Sequence, residues 1–208
     1  MEKLKFSRAN KKLKKLASAI GITAKHIYSL DLPAGHSCPQ ANECKSMVIN
    51  GKIKDGPHTL FRCYAASQEA KYKATHAARM HNFDLLRKSD NLIQLIRDSI
   101  PRNAKVVRIH TSGDFYSMRY FRAWVAVALH RPDITFYGYT KNGHACLEGR
   151  PENFRLTYSR CGRCDNMIAD LERIGIPICS VIGENQASEL PVDQDDSHAY
   201  YAEGSFNL

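Results

Sequence analysis

Four short runs rich in β-branched and aromatic residues, KVVRIH (105–110), ITFYGYT (134–140), FRLTYS (154–159) and PICSVI (177–182), alternate with segments of helical periodicity. A fifth, carried by Ile27, Tyr28 and Leu30 within residues 26–32, precedes them. Strands that alternate with helices form crossover units, and such units build a parallel sheet. The chain is therefore predicted to be α/β, either a partial (β/α) barrel or a small open, mostly parallel sheet with flanking helices. At 208 residues it can fill one core and would crowd two, so a single domain over residues 1–208 is expected. Right-handed crossovers bring all the strand C-terminal ends to one face, where the chemistry of these folds gathers.

The helical segments have readable ends. Leu13, Leu16 and Ile20 recur at helical spacing within a basic helix over about 8–20, and Gly21 stops it. Ser67 is a plausible N-cap for a long helix running to Lys88, and Asp90 for a second one that Pro101 ends. Residues 117–130 read as a third helix, and Asp165 opens a fourth that closes at Gly175. The final segment, about 184–208, is a polar, acidic tail with a closing turn expected around Gln194–Tyr200.

The loop after the first strand carries Cys38, Cys44 and Cys63, spaced C-x5-C-x18-C and interleaved with Gly51, Gly56 and Pro57. Thiolates bind soft metals, and the glycines let the loop fold back and return Cys63 to the other two. Isolated thiols, a structural zinc and an iron–sulfur cluster all remain open on spacing alone. Tyr64 is placed to cover the group. Cys161-x2-Cys164 is half of a zinc ribbon or of a second cluster site, with His144 and Cys146 nearby, or the source of a fourth ligand for the first. Cys179, in mid-strand, reads as a core thiol.

The other strand ends add Ser112, Gly113 and Asp114, then Lys141 and Asn142, then Ser159 to Cys164, and last Gly183, Glu184 and Asn185. Asp114 can hold a cationic group or a sugar hydroxyl, or serve only as a helix cap. Asp195-Asp196-Ser197-His198 can bring a carboxylate–imidazole pair to the same mouth, or simply be surface acidity. His76 and His81 read as ordinary helix-surface residues. There is no P-loop, Rossmann glycine fingerprint, HExxH or Gly-x-Ser-x-Gly, which removes the standard nucleotide-triphosphate, dinucleotide and zinc-protease readings.

The net charge of +9 is local: the first fifteen residues carry seven Lys/Arg against one Glu, and the rest 23 against 20. A run such as Lys3–Lys15 is either a solvated face or a contact for nucleic acid. No run of eighteen apolar residues and no secretory pattern is present, so no membrane association and a cytoplasmic location are expected. In that reducing compartment the seven cysteines read as ligands or free thiols rather than disulfides.

LPAGHSCPQANECKS, FRCYAASQEAKY, HNFDLLR, VRIHTSGDFYSMRYFRAW, FYGYTK and DDSHA together resemble the phage family named after mycobacteriophage gene product 88. That resemblance spans nearly the whole chain, from Asn10 to His198, and implies a virus-encoded protein acting inside an infected bacterium. The three-cysteine loop, the aromatic after its last cysteine and the Gly-acid pair after the second strand also resemble radical S-adenosylmethionine enzymes, at a wider cysteine spacing. This second likeness implies that Cys38, Cys44 and Cys63 hold a 4Fe-4S cluster whose fourth iron is chelated by S-adenosylmethionine. Ser112, Gly113 and Asp114 would lie where the methionine amino group is gripped, and Lys141 and Glu184 would complete the pocket. The DDSHA motif marks His198 as a candidate fourth ligand or neighbour of the cluster.

Two functions follow as expectations. One is an iron–sulfur protein with radical-type or redox activity toward a small molecule or redox partner. The alternative is a non-catalytic metalloprotein, with zinc or iron–sulfur, that binds nucleic acid through Lys3–Lys15.

Overall fold

The computed structural model describes residues 2–182 and 189–208. The chain opens with strand β1 (Phe6–Arg8) and helix α1 (Lys11–Ala19), whose N-cap Asn10 accepts a hydrogen bond from the Leu13 amide. Strand β2 (Ile27–Leu30) leads into the cysteine loop, which contains a hairpin of β3 (Ser46–Ile49) and β4 (Lys52–Asp55). Helices α2 (Tyr64–Lys71), α3 (Lys73–Lys88) and α4 (Leu92–Ser99) come before β5 (Val106–Ile109) and α5 (Met118–His130). Then follow β6 (Thr135–Thr140), α6 (Gly143–Leu147), β7 (Phe154–Ser159), α7 (Ile168–Arg173) and β8 (Ile178–Ser180). Helix α8 (Ser197–Tyr201) and strand β9 (Phe206–Asn207) end the fold.

The strands form one seven-stranded sheet in the order β1-β2-β5-β6-β7-β8-β9. β1 is antiparallel to β2, and every later pairing is parallel. The strands thus follow chain order like the staves of a barrel, but the sheet stays open. Of the two expected architectures, the open sheet is the one observed.

Successive residues of a strand face opposite sides, and the sheet uses both. Val107, Ile109, Phe136 and Leu156 pack under α3, α4, α5 and α7, where Phe83, Leu86, Ile96, Trp124 and Leu171 are buried. Val106, Tyr137 and Cys179 face the opposite side, which Leu13 and Leu16 of α1, Ala199 of α8 and Phe206 close. The space a full barrel would enclose is filled by the two ends of the chain. No described helix is long and apolar enough to cross a membrane.

Several local expectations are corrected. The basic run is divided between β1 and α1 rather than forming one helix over 8–20, and Leu13 and Leu16 are wholly buried. Helix α2 starts at Tyr64, not Ser67, because the Cys63 carbonyl already accepts from Ala66 and Ser67. The predicted long helix breaks at Tyr72, in extended conformation, and His76 and Arg79 beyond the break both pair with Glu69. Asn91, not Asp90, caps α4. Asp165 turns back instead of capping, accepting from the Cys161 and Gly162 amides and the Tyr158 hydroxyl. The tail holds more than a turn: β9 pairs in parallel with β8.

A candidate thiol pocket at the strand ends

The loops after β2, β5, β6 and β7 meet around a cavity of about 340 Å³. Cys38, Cys44 and Cys63 all line it, together with Ser112, Gly113, Asp114 and Lys141. Seven of the residues singled out by sequence are thus brought to one place. Glu184, with Gly183 and Asn185, lies outside the described residues.

The cysteine loop is held by its neighbours rather than by its own regular structure. Ser112 accepts from the Leu32 amide at 2.9 Å and donates its hydroxyl to the Leu32 carbonyl at 2.8 Å. Gly113 sits at φ +91°, where a Cβ would come within 2.6 Å of both Leu32 Cβ and Ser37 Oγ. Only glycine permits that approach. Behind the loop, buried Glu69 accepts from the Ala34 amide at 2.9 Å and from Arg79 at 2.9 Å. On the far side, the Cys161 carbonyl accepts from Asn42 and Glu43, and the Glu43 carbonyl from Leu60 and Phe61. These ties fix Cys44 between its neighbours and return the chain toward Cys63.

The three thiols are half-buried and free. Burial pushes the Cys38 thiol far up, with Asp114, Cys63 and Cys44 adding to the effect. Burial also raises Cys44, with Lys141 opposing and Cys63 and Asp114 adding. Tyr64 lines the same cavity and donates its hydroxyl to the Thr111 carbonyl. Among the described residues, no three His, Cys, Asp or Glu side chains are grouped so as to hold a single metal ion.

Asp114 is buried and already occupied. It accepts from Thr140 Oγ1 at 2.6 Å and from the amides of Lys141 and Phe115 at 2.9 and 2.7 Å. Burial raises its pKa, and those hydrogen bonds only partly offset this. It therefore clasps the loops after β5 and β6 together at the cavity wall. Lys141 donates to Ser159 Oγ at 3.0 Å and to the Arg160 carbonyl, joining the loops after β6 and β7.

His198 is not in the cavity: it lies on α8 with its ring stacked on Phe206, centroids 5.4 Å apart. From DDSHA the residue that reaches the site's floor is Asp196, fully buried and bonded to Arg108, which does line the cavity. The Cys161–Cys164 pair is split. Cys161 is half-exposed beside Glu43, whereas Cys164 and Cys146 are buried in the core under the sheet. Cys179 is a core thiol on the opposite face.

Arg108 and Glu69 were not singled out by sequence. Their signal was slight: one arginine within an otherwise apolar strand, and one glutamate on the alanine-lined face of α2.

The family model described as Gene product 88 matches residues 4–205. The Gene 88 protein of Mycobacterium phage L5 is 31% identical over 169 residues, covering 74% of this chain and 65% of that protein. The Gene 88 protein of Mycobacterium phage D29 is 31% identical over 126 residues, covering 54% of this chain and 47% of that protein. The chain thus spans less than two thirds of the length of these curated relatives. No solved structure matches it.

Proposed function

The chain belongs to the Gene product 88 family, and we propose that within an infected host's cytoplasm it acts as an iron–sulfur protein whose cluster is held by Cys38, Cys44 and Cys63. One observation carries this reading: three free thiols from distant parts of one loop line a single cavity at the C-terminal ends of parallel strands. A single ion needs all its ligands within about 2.3 Å of one point, whereas a cluster offers each thiolate its own iron. Three thiolates along one wall can each take an iron of a 4Fe-4S cluster, with zinc as the alternative metal.

Three ligands leave one coordination position for a small molecule. His198 does not fill it, being stacked on Phe206. Ser112, Gly113, Asp114 and Lys141 line the same cavity and would border that molecule. S-adenosylmethionine, with radical-type chemistry, is one such ligand, and a simple redox role needs none. Lys141 beside Cys44 favours the thiolate that a metal requires.

The test is iron and acid-labile sulfide analysis of protein purified without oxygen, followed by titration with S-adenosylmethionine watched by paramagnetic resonance. Protein free of iron and sulfide after anaerobic reconstitution would end the proposal.

A second reading draws on the exposed lysines of α1 and on Lys5 and Arg8, which line a separate cavity of about 430 Å³ with Arg79. On this reading Lys3–Lys15 contacts nucleic acid and the thiol site is structural. Binding to single-stranded DNA or RNA that weakens steeply with salt would favour it.

A further inference from the structure

The floor of the thiol pocket holds a cation with more donors than the protein has acceptors for it. Arg108 is 8% exposed and lines the cavity. One Nη donates to Asp196 Oδ2. Its Nε has no partner, and no described residue accepts from its other Nη. Its guanidinium carbon lies 5.0 Å above the centre of the Tyr139 ring, another cavity residue.

Asp196 cannot accept more. Its Oδ1 takes Lys12 Nζ at 2.8 Å and Tyr139 Oη at 3.1 Å, and its Oδ2 takes Arg108 and Tyr137 Oη at 3.0 Å. One carboxylate is therefore shared between buried Arg108 and half-buried Lys12. The cavity's own carboxylate, Asp114, is engaged by Thr140, Lys141 and Phe115. Buried donors and charges are costly when unmatched, so this arrangement calls for an acceptor from outside. His110, 4% exposed and also lining the cavity, adds a second buried atom without a partner, its Nδ1.

We infer that the thiol pocket takes a small carboxylate-bearing molecule, its carboxylate received by the free edge of Arg108. A guanidinium edge offers two parallel N–H groups, the geometry of a carboxylate. A phosphate dianion would bring a second charge, and the cavity's other cations are engaged, Lys141 by Ser159 and Arg160 and Arg62 by Asp55. Ala41, Phe61, Ala65 and Val181 in the walls suit a compact apolar body behind the acid group. The inference rests on the pocket being the ligand site, as proposed above, but not on what the thiols hold.

The test is calorimetric titration of the anaerobically purified full chain with benzoate, benzamide and inorganic phosphate, with iron assayed on the same sample. Benzoate should bind at least tenfold more tightly than benzamide, and Arg108→Lys should remove that preference. Should Arg108→Lys not fold, the wild-type protein labelled with ¹⁵N-arginine gives a second readout, in which an arginine Nε–H resonance shifts with benzoate and not with benzamide. Equal binding of benzoate and benzamide, tighter binding of phosphate, or no binding by any of them would overturn the inference. Iron without carboxylate preference defeats this inference alone, and carboxylate preference without iron defeats the cluster alone.

Discussion

Arg108 in strand β5 and Asp196 at the start of α8 lie 88 residues apart and form an ion pair whose carboxylate is fully buried. Burial by itself would raise the Asp196 pKa, but Arg108 and Lys12 outweigh it and hold the carboxyl below its ordinary range. A depressed folded-state pKa contributes stability above the unfolded value of about 3.9, and that stability is lost as pH falls through the lower folded value. Asp196→Asn leaves Arg108 without its partner and should cost about 3–5 kcal/mol at neutral pH. In urea unfolding curves at several pH values, the gap between variant and wild type should close below about pH 4.

Cysteine substitutions separate ligands from core thiols. Cys38→Ala, Cys44→Ala and Cys63→Ala should each lose most of the iron and sulfide of anaerobic preparations. Cys161→Ala should retain both, because its thiol lies beside Glu43 and away from the cavity. Full metal content in all three pocket variants would remove the ligand assignment.

Loading should depend on pH in a set direction. In metal-free protein the Cys38 and Cys44 thiols are raised by burial, so both are protonated at neutrality. Binding must displace those protons, and apparent metal affinity should rise with pH by about tenfold per unit for each proton displaced. Competition with a chelator of known affinity between pH 6.5 and about 8.5 measures the slope.

Gly113→Ala forces a Cβ into Leu32 and Ser37 at a positive φ. A cost of about 1–3 kcal/mol is expected, together with reduced iron retention, because the displaced atoms belong to the start of the cysteine loop. Thermal unfolding and iron analysis of the same samples test both parts.

The basic segment must be probed by charge and not by deletion. Leu13 is wholly buried and belongs to the helix that also presents Leu16, so removing Lys3–Lys15 takes away Leu13 and most of the helix that covers one face of the sheet. Leu16→Ala alone should cost about 2–5 kcal/mol. Lys11→Glu with Lys14→Glu, both exposed, should leave the unfolding midpoint nearly unchanged. If these lysines contact nucleic acid, the same pair should flatten the salt dependence of single-strand binding by about 0.7 in log–log slope per lost phosphate contact.

Strands β6 and β7 were legible almost to the residue, because apolar runs bounded by turns leave little choice. The gathering of Cys38, Cys44, Cys63, Asp114 and Lys141 was legible too, since parallel topology alone brings those loops together. The β3–β4 hairpin was missed although Asn50-Gly51 announces it, both residues having positive φ as a type I′ turn requires. The surrounding cysteines, prolines and glycines read as loop and hid the alternation. His198 rather than Asp196 was read as the cluster's neighbour, because sequence alone does not say which residue of DDSHA turns inward. A buried arginine in β5 needs a counter-charge, but its location in the chain is set by α8 closing over the sheet. The Cys161–Cys164 half-site stayed undecided for a related reason: Asp165 accepts from the Cys161 and Gly162 amides and folds the intervening turn, with Cys161 beside Glu43 and Cys164 in the core.

The floor of the pocket also bears on how relatives are compared. Every pocket cysteine lies in the first third of the chain, while the carboxylate that steadies Arg108 comes near its end. Surveys that rank homologues by thiols alone will pool proteins with and without that counter-ion. Positions 108 and 196 are expected to covary: where the aspartate gives way to an apolar residue, the arginine should be replaced as well, and such proteins would recognise a different class of molecule.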